Sequence, residues 1–145
     1  MADVSVRPAR SQDAELVARV QQSTWRTAYA ELLPAEVLAT PLEQLAAVWL
    51  NAVEAPPSPR HRVLVALERD ELVGFATLAP AEDADLDGAT TAEVTALLVE
   101  PRWGRRGHAS RLLAAAVDGW QTDATMTAVL WAWERDAATR SFLTG

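Results

Sequence analysis

The spacing of apolar positions changes character several times along the chain, and each change marks an element. Residues 4–7 alternate apolar and polar ahead of Pro8 and predict a short strand. Ser11 then stands as an N-cap, with Asp13 and Glu15 in a first turn where the helix dipole favours anions. Leu16, Val17, Val20 and Thr24 recur at helical spacing, so residues 11–28 predict an amphipathic helix. Pro34 and Pro41 are placed as first-turn prolines that reset the chain. The second opens a helix with the stripe Leu42, Leu45, Val48 and Trp49. The segment 54–59 (EAPPSP) is a stiff, helix-breaking connection, too short for a domain linker.

Beyond it the period becomes that of strands. Residues 62–67 and 72–78 are rich in Val, Leu and Phe and flank the charged turn 68–71, a hairpin pattern. A polar loop over 80–88 leads to a long strand over 92–99, ended by Pro101. Residues 102–107 form a glycine-arginine loop. Residues 108–120 predict a helix with Leu112, Leu113, Ala116 and Val117 on the buried face. Residues 127–133 predict a strand, with Trp131 and Trp133 on one face, and 137–143 begin a last helix. The order is β-α-α-β-β-β-α-β-α. Hairpins come first, and one crossover helix then joins two strands that should pair in parallel. The expected fold is α/β, a mixed sheet with helices on its faces.

Composition narrows the function classes. The chain has 145 residues, half of them apolar, enough for one core and one domain. No apolar run is long enough to span a bilayer, and the first ten residues lack the order of a signal peptide, so a cytoplasmic location is expected. With no cysteine there is no disulfide scaffold, thiolate metal site or cysteine nucleophile. His61 and His108 are far apart, and no metal site is expected. The net charge of −7 argues against nucleic acid as the partner and suits a cationic or amine-bearing one, although solubility alone accounts for the charge equally well. All 13 basic residues are arginine, which excludes Schiff-base chemistry on lysine.

The strongest local signal runs from Leu97 to Leu113. A buried strand enters a glycine-rich turn and a helix starts at once, so several backbone N–H groups converge at one helix end, an arrangement suited to phosphate. Gly107 and Ala109 let an anion approach the backbone, and Arg105 and Arg106 add positive charge. An ordinary strand-to-helix turn with solvated arginines accounts for the same residues, and composition does not separate the two.

At these residues the chain resembles the acyl-CoA-binding motif of the GCN5-related N-acetyltransferases: a valine, a proline two residues on, Q/R-x-x-G-x-G/A, then a leucine-rich helix. The matching positions are Val99, Pro101, Gly107, Ala109, Leu112 and Leu113. The motif's leading Gln or Arg falls on Gly104. Residues 25–29 (WRTAY), Leu33, Pro34, Leu38 and Trp49 are similar to the first two helices common in bacterial members. Residues 136–143 resemble the family's N-x-x-A-x-x-F-Y segment, with Asp136 for the Asn, Thr139 for the Ala and Leu143 for the Tyr.

The resemblance implies a GNAT-like fold over 1–145 and acetyl transfer from acetyl-CoA, as co-substrate, to a primary amine of a small molecule or a protein N-terminus. The pantetheine arm would pair with Leu97, Leu98 and Val99, and a backbone N–H near Leu98 or Val99 would polarise the thioester. The pyrophosphate would rest on the backbone of Arg105, Arg106, Gly107, His108, Ala109 and Ser110, the backbone of His108 mattering more than its ring. Asp136 joins the cofactor side. Glu93 is the candidate base, since some members carry a glutamate there and an amine must lose a proton; an exposed strand-end glutamate is the alternative. Trp25 and Tyr29 fall on the acceptor side. Leu143 cannot supply the acid that a tyrosine provides, although a thiolate leaves without much help. The alternative is a non-catalytic acyl-CoA-binding or interaction domain on the same fold. The family fold normally adds a strand pair after the segment that ends here at Gly145, so a shortened form is expected, with a homodimer through the exposed sheet edge. Residues 83–88 imitate the start of a calcium loop, but the twelfth position is Val94 where a glutamate is required, and the segment is taken as a solvated acidic loop. His61 is expected to be exposed.

Overall fold

The computed structural model describes residues 4–28, 30–31, 33–58, 60–80, 91–100, 103, 107–122 and 127–130. Its elements are β1 (Val4–Pro8), a 3-10 turn (Ser11–Asp13), α1 (Ala14–Ala28), α2 (Ala35–Leu38), α3 (Leu42–Glu54), β2 (Arg62–Glu68), β3 (Glu71–Pro80), β4 (Thr91–Val99), α4 (His108–Thr122) and β5 (Thr127–Leu130). The strands lie in chain order in one mixed sheet. β1 to β4 pair antiparallel, and β4 pairs with β5 in parallel, as a strand–helix–strand crossover requires. The expected last helix and the second half of the expected fifth strand, with Trp131 and Trp133, lie outside the described residues, as does the acidic loop 83–88.

Each face of the sheet carries its own core. Leu64, Ala66, Val73, Ala76, Leu78 and Val94 meet Leu112 and Ala116 of α4. On the opposite face Val65, Leu72 and Phe75 meet Val17 and Val20 of α1 and Leu45 and Trp49 of α3. Trp49 stands edge-on to Phe75, ring centroids 4.9 Å apart, while its indole N–H donates to Gln21 Oε1 at 2.8 Å. Two-sided burial explains why β2 and β3 read as nearly continuous apolar runs.

Several local expectations are corrected. Ser11 does not cap α1; its hydroxyl donates to Glu54 Oε2 at 3.0 Å. The buried Asp13, last residue of the 3-10 turn, instead ties that turn down, its carboxylate accepting from the Arg10 amide at 2.7 Å and from both terminal nitrogens of Arg7 at 2.6 and 3.1 Å. Pro34 and Pro41 sit one position earlier than expected, as extended N-caps, and the first precedes a one-turn helix absent from the expected order. Leu16, Val48 and Val117 face solvent, because α1, α3 and α4 each bury a narrower stripe than their apolar content suggests. His61 is half-buried, its Nδ1 2.8 Å from Ser58 Oγ. No helix among the described residues is long and apolar enough to cross a membrane.

The β2–β3 turn is tight, with Glu68 opposite Glu71. Arg69 (φ 54°) and Asp70 (φ 69°) both take the left-handed conformation that a two-residue hairpin needs and that side chains resist. At the outer edge of the sheet Arg7 also donates to the Pro8 carbonyl at 3.1 Å.

Two predictions follow from these local devices. The Arg7 hydrogen bonds, aided by the Arg10 amide and opposed by burial, hold the Asp13 carboxyl below the usual aspartate range. A depressed folded pKa contributes stability that is complete above the unfolded value near 4 and is lost as pH falls through the folded one. Asp13→Asn is therefore expected to cost about 2 kcal/mol at pH 7 in urea unfolding, and the difference from the parent should shrink progressively as pH drops below about 4. In the hairpin, Asp70→Gly relieves a left-handed side chain and is expected to add about 1 kcal/mol, seen as a higher urea midpoint.

Candidate active site

β4 is the element around which the candidate site is built, because its two edges are used differently. Along one edge it pairs with β3 from Pro80↔Ala92 to Gly74↔Val99. Along the other, the described part of β5 pairs with Thr91 to Val94. The bond from Glu100 N–H to the Val73 carbonyl, 2.9 Å, sets the phase of the β3–β4 ladder. Antiparallel pairs alternate between bonded and non-bonded. Val99↔Gly74 is then a non-bonded pair and Leu98↔Phe75 a bonded one. The peptide groups of Leu98 turn towards β3, and those of Leu97 and Val99 turn to the opposite edge, past the described end of β5. The three expected positions are thus not equivalent: Leu97 and Val99 present their peptide groups on the edge away from β3, and of the two amides proposed to polarise a thioester only that of Val99 faces that edge.

A bulge decides which side chains share a face. Thr77 pairs with Ala96 and Leu78 with Val94, so Thr95 is an extra residue. Its hydroxyl bonds the hydroxyl of Thr77. As a result Val94, Leu97 and Val99 pack on the α4 side, and Ala96 and Leu98 on the α1–α3 side. Glu93 is half-buried, and strand alternation puts it on the face opposite Val94. Trp25 of α1, also half-buried, packs into the same cluster. The candidate base and Trp25, expected on the acceptor side, thus share one side of the sheet.

Gly74 holds β3 close to this part of β4. A Cβ at that position would lie 2.8 Å from the Leu98 carbonyl oxygen and 3.1 Å from Val99 Cγ2. Only a residue without a side chain permits the approach.

After β4 the chain turns, with the Trp103 amide donating to the Glu100 carbonyl at 2.8 Å and the indole packing against the α4-side core. Gly107 takes φ +81°, and a Cβ there would meet Arg111 Nη1 at 3.1 Å. α4 begins at the next residue. Its first intrahelical bond runs from the Arg111 amide to the Gly107 carbonyl at 3.0 Å, which leaves the amides of His108, Ala109 and Ser110 at a helix N-terminus without an intrahelical acceptor. Glycine at 107 is thus demanded by backbone conformation as well as by the room a ligand needs. Ser110 is exposed and Ala109 half-buried.

The ring of His108 carries more than sequence reading assigned to it. It is 1% exposed, with Nε2 3.0 Å from Glu68 Oε1 and Nδ1 3.1 Å from an Arg111 Nη. A guanidinium only donates, so Nδ1 is the acceptor and Nε2–H donates to the carboxylate. Glu68 is also buried, although it closes a strand at a charged turn. The sequence signal available was a charged residue closing a strand that is apolar from Val63 to Leu67, and it names no partner. Tyr29, Arg105, Arg106 and Asp136, together with Leu143, lie outside the described residues.

This strand, turn and helix sit in a fold with known relatives. The chain belongs to the acetyltransferase (GNAT) family, which it matches over residues 19–142. The PaiA N-acetyltransferase of Thermoplasma acidophilum, in complex with coenzyme A, superposes with a TM-score of 0.82 at 19% identity, over 98% of this chain and 87% of that one. Aminoglycoside N-acetyltransferase AAC(6')-Iy in complex with CoA gives 0.76 at 12% identity, covering 99% and 86%. YncA of Salmonella typhimurium, with its cofactor acetyl-CoA, gives 0.74 at 18% identity, covering 97% and 76%. At these identities the likeness is one of fold. Among curated proteins none matches the chain in sequence.

Because Gly74 sets the β3–β4 approach, Gly74→Val is expected to shift the Leu98 and Val99 amide resonances most strongly and to cost about 2 kcal/mol in urea unfolding.

Proposed function

We propose that the chain is an acetyl-CoA-dependent N-acetyltransferase that acetylates a primary amine of a small molecule or a protein N-terminus. The observation that carries this reading is the phase of the β3–β4 ladder, which turns the peptide groups of Leu97 and Val99 to the edge away from β3, on the strand that leads into the Gly107 turn and the α4 N-terminus. These residues fit the cofactor. A pantetheine chain carries amides that can pair with an exposed strand edge, and a diphosphate suits the convergent N–H groups at a helix start.

In this reading Leu97 and Val99 hold the pantetheine arm, with Leu98 between them bonded back to β3. Gly107, His108, Ala109 and Ser110 receive the diphosphate through their backbone, assisted by Arg105 and Arg106, and Asp136 borders the same cofactor. Acetyl-CoA supplies an activated acyl group on a thioester. Val99 N–H is the donor placed to stabilise negative charge on the acyl oxygen. Glu93 takes the proton from the acceptor ammonium or amine, directly or through one water. The amine nitrogen forms the new C–N bond, the C–S bond breaks, and the thiolate leaves and is protonated from solvent. Trp25 and Tyr29 line the acceptor side. Most of the rate comes from holding the two reactants together and from the Val99 contact.

Calorimetry with acetyl-CoA and a thiol-release assay over a panel of amines test the reading. Wild-type chain is expected to bind the cofactor and to release CoA with at least one amine. Gly107→Glu puts a side chain at a left-handed position and a negative charge beside the diphosphate seat. It is expected to weaken acetyl-CoA binding by roughly tenfold or more while circular dichroism stays unchanged. Normal binding by a folded Gly107→Glu chain would show that the seat is elsewhere. Binding without turnover of any amine would favour the non-catalytic reading.

A further inference from the structure

We propose that the buried Glu68–His108–Arg111 chain is a positioning device for cofactor binding, one that keeps the Gly107 turn in the conformation that presents the first amides of α4; the proposal rests on the cofactor reading above. Glu68 closes β2 at the hairpin turn, His108 is the first residue of α4, and Arg111 lies one turn further along the helix. The chain therefore joins a rigid hairpin to the helix end that starts the proposed diphosphate seat.

The direction of the hydrogen bonds gives the device its function. Arg111 donates to His108 Nδ1, and His108 Nε2–H donates to Glu68. Each bond fixes the next group: the carboxylate selects the Nε2–H tautomer, and that tautomer leaves Nδ1 free to receive the guanidinium. So anchored, the Arg111 guanidinium lies beside Gly107, with Nη1 3.1 Å from the place a Cβ would occupy. It packs against a turn whose φ of +81° few residues could hold, while the backbone of the same arginine closes the first turn of α4 on the Gly107 carbonyl.

Packing alone does not ask for this arrangement. His108 is buried at the start of the helix whose Leu112 and Ala116 pack on the sheet, where an aliphatic side chain would be buried without loss of hydration. A buried carboxylate and imidazole are costly relative to apolar replacements, and what they supply in return is orientation. A binding seat made of backbone amides gains affinity when it is held in place before the ligand arrives.

The test titrates the full chain with acetyl-CoA by calorimetry and reads the His108 ring nitrogens by NMR of 15N-histidine-labelled protein. The wild-type ring is expected to be protonated at Nε2 and bare at Nδ1. His108→Leu, Arg111→Met and Glu68→Ala are each expected to weaken acetyl-CoA binding about tenfold. Glu68→Gln, which keeps an acceptor for Nε2–H, should recover affinity to within about threefold of wild type. A purely structural pair would lower stability in all four variants without this rescue in affinity. Folded His108→Leu and Arg111→Met proteins with wild-type affinity would overturn the proposal and leave the cofactor reading standing. Should His108→Leu fail to fold, the half-buried Arg111→Met decides the point. A ring protonated at Nδ1 would overturn the direction of the chain. Wild-type protein that binds no acetyl-CoA would overturn the cofactor reading, and the proposal with it.

Discussion

A peptide N–H can serve one strong acceptor at a time, and the structure is organised by how β4 divides its own. Towards β3 it gives alternate peptide groups from Ala92 to Val99. Towards β5 it is paired, among the described residues, from Thr91 to Val94. The phase of the first ladder determines what the second edge presents, so a single bond between Glu100 and Val73 fixes that the groups of Leu97 and Val99, and not those of Leu98, face outward. Gly74 keeps that phase by allowing the two backbones to come close. The proposed cofactor site is in this sense a by-product of sheet register.

The two halves of the site are held by different forces. The strand half depends on backbone pairing and on apolar packing from both faces, with α1 and α3 on one side and α4 on the other. The helix half depends on a left-handed glycine and on a buried polar chain that ties α4 to the hairpin turn. The first force is collective and tolerant of single changes. The second is local and directional, so single substitutions there have disproportionate effects on geometry.

Much of this was legible in the sequence, and the exceptions have physical causes. Continuous apolar runs marked β2 and β3 because both faces of the sheet are covered. The change from hairpins to one crossover helix led to a parallel β4–β5 pair. The Gly107 turn was visible because glycine and a helix start form a local pattern. The bulge at Thr95 was not visible: a strict period of two over 93–99 puts Glu93 and Leu97 on one face, and the extra residue separates them. Burial of Glu68 and His108 was hidden for another reason, since the partners are 40 positions apart and each in isolation reads as a surface residue. Ser11 looked like the cap because a hydroxyl residue usually fills that role, but the chain enters α1 through a 3-10 turn headed by Arg10, and the Ser11 hydroxyl goes to Glu54 instead. Tyr29, Arg105, Arg106 and Asp136 remain sequence expectations, since they lie outside the described residues.

The ladder arithmetic also applies at the far side of the sheet, with the opposite result. The Ala9 amide donates to the Val63 carbonyl at 2.9 Å, so Pro8, one position earlier and opposite Leu64, turns its backbone outward. Proline has no hydrogen to offer there, and its outward carbonyl is already taken by the Arg7 guanidinium. An incoming strand would find neither a donor nor a vacant acceptor at that step. At this step of β1 the sheet edge therefore opposes pairing with another strand, a local device against edge-to-edge association.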